Sequence, residues 1–339
     1  MPQATGAVVA AAATVAVAVA TASVNRAPAV PSLGQSASVS GLSDPSMPLP
    51  FTRSLSLQTP PLHGTDVYIL RGLLGRHSAA PSVVGGCTTV SKCPFDTGTA
   101  AALRSVQTEA GLPATGALDG ATASHVLDTL GSDGHRWNGT APGALGYKYL
   151  VRCPVSANRS VETTCALHAA NGTSLFEFTA RLHGASRMPP PPWPEFDSDG
   201  PGVNEFTSDG CTPTGLVEFD LNSPEDEPKE FGPYPVNRAT VGLEGNAALL
   251  LTNTADAPRG GILMHTGEWT CCGWAGPPAP MPNSLGCIHA YPESIHTVWK
   301  LLTTELGVEV RPNTNGAAPY PYRSQGLLSV ELVAPARIS

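Results

Sequence analysis

The chain has 339 residues, room for about two domains, with 41% hydrophobic and only 14% charged residues. Its 35 Gly and 34 Pro favour a loop-rich, largely β chain over a helical bundle. The formal net charge of -8 comes without a Lys/Arg cluster, which argues against nucleic acid or an anionic membrane surface as a partner.

The chain opens with an apolar run, Ala7 to Ala22, that meets no charge before Arg26 and ends in an Ala-x-Ala-like site. Residues 1–22 therefore read as a signal peptide, too short for stable membrane insertion, and the mature protein is expected to be secreted or extracytoplasmic. Three sequons, at Asn138, Asn158 and Asn171, fit a glycoprotein on that route. Of the eight Cys, Cys87/Cys93 and Cys153/Cys165 are close enough in sequence to close small loops. If Cys287 stays a thiol, one of Cys211, Cys271 and Cys272 is left over after three pairs.

Residues 23–61 are rich in Ser, Pro and small side chains and read as a disordered linker with no core of its own. From Asp66 to Leu74 and from Thr99 to Gln107 apolar residues recur at helical spacing, and Asp119 is a good N-cap for a third helix through Leu127. Asp66-Val67, Phe95-Asp96-x-x-Thr99, Gln107, Gly111-Leu112 and Gly116-x-x-Asp119-x-x-Thr122 follow one another in an order that resembles the three-helix peptidoglycan-binding domain. The resemblance covers residues 62–131 and implies a glycan-anchoring module, although a Ser/Ala/Gly-rich loop with Cys87 and Cys93 replaces the short connector between the first two helices.

After a linker at 132–145 the pattern becomes β. Tyr147–Arg152, Glu162–Leu167 and Ser174–Leu182 read as strands, with Asn171-Gly172 as a hairpin turn. Pro189–Pro194 reads as loop, and the acidic run Asp197–Gly200 lacks the later ligands of a calcium loop, so no metal is expected. Glu293–Leu306 has Ile295, Val298, Trp299, Leu302 and Leu306 at helical spacing and stops at Gly307, before a strand at Val308–Val310.

The chemistry lies between. Gly260–His265 is a short apolar run ending in a histidine, and Ser284–Ile288 puts Cys287 on a glycine turn. A cysteine attacks carbonyls as its thiolate, and a neighbouring imidazole can take the proton, while backbone N–H groups on the turn can meet the developing oxyanion. Thr212-Pro213-Thr214-Gly215, Phe231-Gly232-Pro233, Met264-His265-Thr266-Gly267, Ser284-x-Gly286-Cys287-Ile288 and the closing helix stand in the order of the L,D-transpeptidase (YkuD-like) domain, which this segment resembles over residues 146–311. Residues 312–339 read as a C-terminal extension. The fold class expected is α+β and multidomain: a small three-helix N-terminal module plus a mainly β L,D-transpeptidase-like catalytic domain.

The resemblance implies Cys287 as nucleophile, His265 as general base, Thr266 as the group that orients His265 or lines the oxyanion side, and Ser284 and Gly286 as the frame of the turn. It implies no cofactor, and a peptidoglycan or peptidoglycan-like partner whose stem peptides are crosslinked or trimmed through an acyl-enzyme. The alternative is a non-catalytic peptidoglycan- or glycan-binding protein with a degenerate transpeptidase domain, because Leu285 stands where many members have a second histidine and His289 where Arg or Asn is common. His289 would then supply a weaker, pH-sensitive donor to substrate. The segment Glu268–Trp274 reads as a substrate-facing flap, with Trp269 and Trp274 either stacking on substrate or packing the loop, and Cys271 and Cys272 fitting a disulfide better than zinc.

Overall fold

The computed structural model of the chain describes residue 44 and residues 46–78, 87–184, 203–269 and 274–333. The signal-peptide reading, the Pro189–Pro194 loop, the Asp197–Gly200 turn and Cys271-Cys272 lie outside the described residues. Those described form an α+β fold in which helices α1 (Thr65–Leu74), α2 (Thr97–Glu109) and α3 (Gly120–Leu130) precede a closed eight-stranded barrel.

The three helices form where the sequence places them. Asp96 and Asp119, both extended, accept from Thr99 N and Thr122 N and so cap α2 and α3. Their apolar faces meet in one core around Ile69, Leu70, Leu73, Phe95, Leu103 and Val126. Two polar side chains stitch the unit together. Arg71, on α1, donates to Thr99 Oγ1 and to Pro94 O and pairs with Asp96. Gln107, fully buried, donates to Ala117 O and Thr122 Oγ1 and accepts from Gly116 N. The polar residues that carry the helical resemblance are thus the ones that fix the bundle. Cys87 and Cys93 form a disulfide in the connector.

Part of the expected linker is not free of the core. Met47, Phe51 and Leu55 are buried in this cluster, and Leu55 exchanges backbone hydrogen bonds with Leu118. Met47, Phe51 and Leu55 stand four apart, but Pro48 and Pro50 between them forbid a helix, so the spacing does not announce a packed segment.

The barrel strands are β1 (Tyr149–Val155), β2 (Thr163–Ala169), β3 (Ser174–Arg181), β4 (Gly215–Asn222), β5 (Val236–Glu244), β6 (Leu263–His265), β7 (Ile288–Ala290) and β8 (Gly326–Leu332). Around the barrel they run β1-β2-β3-β7-β6-β5-β4-β8, with β1/β8 and β6/β7 parallel and every other pair antiparallel. Alternate residues fill the interior: Tyr149, Val151 and Cys153 from β1 meet Val217 and Phe219, Met264, Ile288, and Leu328 and Val330. Cys153 and Cys165 form a disulfide across the β1/β2 pair. Two disulfides fit an oxidising, extracytoplasmic compartment. No described helix is long and apolar enough to cross a membrane.

Short helices α4 (Pro228–Phe231) and α5 (Gly245–Leu250) flank β5, and α6 (Pro292–Lys300) runs on into a wider turn at Leu301–Glu305 with Ile295, Val298 and Leu302 in the barrel core. The strand expected at Val308–Val310 does not form. Val308 N donates to Leu302 O, Glu309 N to Gln325 Oε1, and only Arg311 bridges to β4, at Asn222. The place beside β4 belongs to β8, which lies past residue 311 and pairs with both β1 and β4.

Helices and barrel share contacts. Leu249 and Leu250 of α5 pack on the helical core, and a Cβ at Gly72 of α1 would come within 2.3 Å of the Leu249 side chain. Asp133, within the segment expected as a linker, accepts from Thr214 Oγ1 and Asn246 N, while Asn246 Nδ2 donates to Gly131 O.

Candidate active site

Strands β6 and β7 run parallel with Met264 opposite Ile288 and His265 opposite His289. Met264 and Ile288 point into the barrel, so His265 and His289 take the outer face, and Cys287, two residues before His289, shares it. The fold therefore brings Cys287 and His265, 22 positions apart in sequence, to diagonal places on one face.

The cysteine turn is held from several directions. Ser284 Oγ lies 2.6 Å from His183 O and 2.8 Å from Cys287 O, and it accepts from Gly286 N at 3.0 Å. Ser284 N donates to His183 O. Thr212 Oγ1 donates to Gly286 O at 2.9 Å, which gives the Thr-Pro-Thr-Gly landmark a direct part in the turn. Gly286 has φ 105°, and a Cβ there would meet Arg259 Nη2 at 2.2 Å, so both backbone conformation and space require glycine. Because Gly286 N–H is occupied by Ser284, the backbone donor adjoining the sulfur is the Cys287 N–H.

His265 is buried, and its Nδ1 lies 2.9 Å from Thr266 O. A carbonyl only accepts, so Nδ1 donates in this contact, and in the tautomer protonated at Nδ1 alone Nε2 holds the lone pair. Thr266 thus orients the histidine through its carbonyl, while its own hydroxyl is buried without a partner. The Phe231 ring packs 4.9 Å from the imidazole, and a Cβ on Gly232 would meet Thr266 Cγ2 at 2.6 Å, which explains the Phe231-Gly232 landmark. Burial pushes His265 down to about 4, against hydrogen bonds to the backbone of Thr266 and Glu230 that raise it.

Cys287 keeps partial solvent access, and its Sγ lies 3.6 Å from Gly261 O. Crowding by protein around the sulfur pushes the thiol up to about 11, against a hydrogen bond to the Leu263 backbone and the charges of Arg259 and Arg238. At neutral pH the pair rests as neutral thiol and neutral imidazole rather than as an ion pair.

Of the expected substrate-facing flap, the described residues include its two tryptophans. Trp269 and Trp274 are 4% and 9% exposed and form a small cluster with Met281, Ala279 and Tyr291. Trp269 takes φ 42° and stacks on the His289 ring at 4.4 Å, which roofs the histidine pair. In this arrangement both indoles pack the loop and offer no open stacking face. His289 donates from Nδ1 to Pro282 O at 2.8 Å and is held neutral, first by burial and then by His265. It therefore presents no cation to a substrate carboxylate. Leu285 sits on the outside of the turn, 44% exposed.

Two residues escaped the sequence reading. Arg259, buried behind the turn, donates to Glu205 O, Gly210 O, Cys211 O and Leu285 O. Glu205 accepts from Thr214 N and Thr214 Oγ1. Their only sequence signal is a lone charge in a charge-poor chain. Among the described residues no group of three His, Cys, Asp or Glu side chains is placed to hold a metal ion.

No family model and no curated protein matches the chain. Among solved structures, a fused zinc-dependent amidase/peptidase/peptidoglycan-binding domain-containing protein from Clostridium acetobutylicum aligns over 82% of this chain and 99% of its own, at 12% identity and a TM-score of 0.20. A likeness that slight carries no argument about fold or chemistry.

Proposed function

We propose that the protein is an exported L,D-transpeptidase-type acyltransferase that acts on peptidoglycan stem peptides through a Cys287 acyl-enzyme. The observation that supports it is the parallel β6/β7 pair, whose register puts Cys287 and His265 on one face, with His265 Nδ1 bonded to Thr266 O. The helical module would hold the enzyme on its polymer and raise the local substrate concentration.

In this reading Nε2 of His265 takes the thiol proton as Sγ bonds to the carbonyl carbon of the residue before the terminal D-amino acid. The carbonyl oxygen gains the negative charge and meets the Cys287 N–H. Collapse breaks the peptide bond, the departing amine receives the proton from His265, and a thioester remains. An amine of a second stem then gives a crosslink, or water gives trimming. Since both groups rest neutral, proton transfer accompanies attack rather than preceding it.

A second reading, a wall-binding protein with a silent site, is favoured by Trp269 over the histidines and by the neutral His289. Intact-mass measurement after exposure to a carbapenem separates the two. An adduct in the wild type that vanishes in Cys287→Ala supports the enzyme; a folded wild type that stays unmodified supports the silent site.

A further inference from the structure

Arg259 is a buried cation with one guanidinium shared between two chain segments. Nη1 donates to Glu205 O at 2.7 Å and Cys211 O at 3.2 Å, and Nη2 to Gly210 O at 3.0 Å and Leu285 O at 3.1 Å. The same Nη2 fills the space a Cβ of Gly286 would take. The loop at 205–211 and the turn at 284–287 are thus tied to a single positive group directly behind the nucleophile.

We propose that Arg259 is the positioning residue of the cysteine turn, and that it fixes the Leu285 carbonyl while stabilising the Cys287 thiolate as the thiol loses its proton. This rests on the acyltransferase reading, in which negative charge develops on Cys287 Sγ as its proton leaves during attack. Planar geometry suits the role, since a fork of donors can serve several carbonyls at once where an ammonium serves them as a point charge. Burial draws Arg259 down to about 10, opposed first by Glu205 and also by Asp209. The charges felt by Cys287 are Arg259 and Arg238, which favour its thiolate, and Glu230, which opposes it.

Alkylation of Cys287 by iodoacetamide from about pH 7 to about pH 9, below the titration of Arg259, reads thiolate at this one sulfur as a rate once the background of the Cys287→Ser counterpart is subtracted. Arg259→Gln is expected to slow alkylation about tenfold, the loss of thiolate that one pH unit of thiol titration represents. Arg259→Lys retains the charge and is expected to return the rate to near wild type. Asp209→Asn, at an exposed position that does not threaten folding, removes a charge opposing Arg259 and is expected to raise the rate about twofold. Rates that coincide across the folded variants overturn the proposal, and Asp209→Asn decides it if Arg259→Gln does not fold. Alkylation needs no substrate, so a failed carbapenem reaction with shifted alkylation rates would sink the acyltransferase reading while leaving the electrostatic role of Arg259 intact.

Discussion

The helical module and the cysteine turn are held by opposite means. In the module, apolar side chains such as Leu70, Leu103 and Phe95 are fully buried in one core, and Asp96 and Asp119 each cap a helix three positions on. At the turn, four residues of backbone are fixed by Thr212, Arg259 and His183 O, which are 74, 26 and 101 positions away from the groups they bond. The first region fails chiefly by cavity in its apolar core. The second tolerates little polar change, because each bond satisfies a carbonyl or hydroxyl that is otherwise stranded away from water.

The largest stability effect should come from the module. Phe95→Ala removes a fully buried ring and is expected to cost about 3–5 kcal/mol. Chemical denaturation would measure it, and a loss under about 1 kcal/mol would show that the site collapses on its own.

Acid should act next, and through the barrel. His265 is neutral when folded down to about 4 but titrates near 6.5 when unfolded, so the unfolded chain binds the extra proton between those values. Stability is complete above about pH 6.5 and falls as pH drops toward about 4, by on the order of 3 kcal/mol from this group, with His289 adding in the same direction. Melting curves across that range should flatten in His265→Gln. An equally steep acid loss in that variant would assign it to other groups.

Thr212→Val is expected to cost about 1–2 kcal/mol, because the Gly286 carbonyl loses its donor inside the protein. Its sharper signature is kinetic: acylation of Cys287 should slow while the module's stability is unchanged. Smallest is the helix cap. Asp119→Ala should cost about 1 kcal/mol with no effect on acylation, since the Thr122 N–H and hydroxyl lose their acceptor far from the cysteine turn.

The same contrast explains what the sequence disclosed. Helices α1–α3 and strands β1–β3 carry periodicity and turn signals within a dozen residues, and the glycine at 286 announces a tight turn. Cys287 and His265 stand out in the sequence because each lies in a short, distinctive run, and the β6/β7 register puts them on one face. The pairing of β6 with β7 was not, since strands of three residues have too little pattern to fix a register. Arg259 was invisible for a different reason: a buried arginine takes its meaning from carbonyls, and carbonyls leave no trace in a sequence. The Trp269 and Trp274 pair could be read either way until the fold set one indole against His289. Likewise β8 hid in an apparent extension because Gly326–Leu332 is separated from its partners β1 and β4 by most of the domain.

The most direct test of the account is incubation of the folded protein with a stem tetrapeptide, followed by peptide-level mass spectrometry of the Cys287 segment. The account predicts a thioester-linked acyl group on Cys287, release of the terminal D-amino acid, and loss of both in Cys287→Ala. Release that persists in Cys287→Ala, or a wild type that neither binds the acyl group nor releases the D-residue, would contradict it.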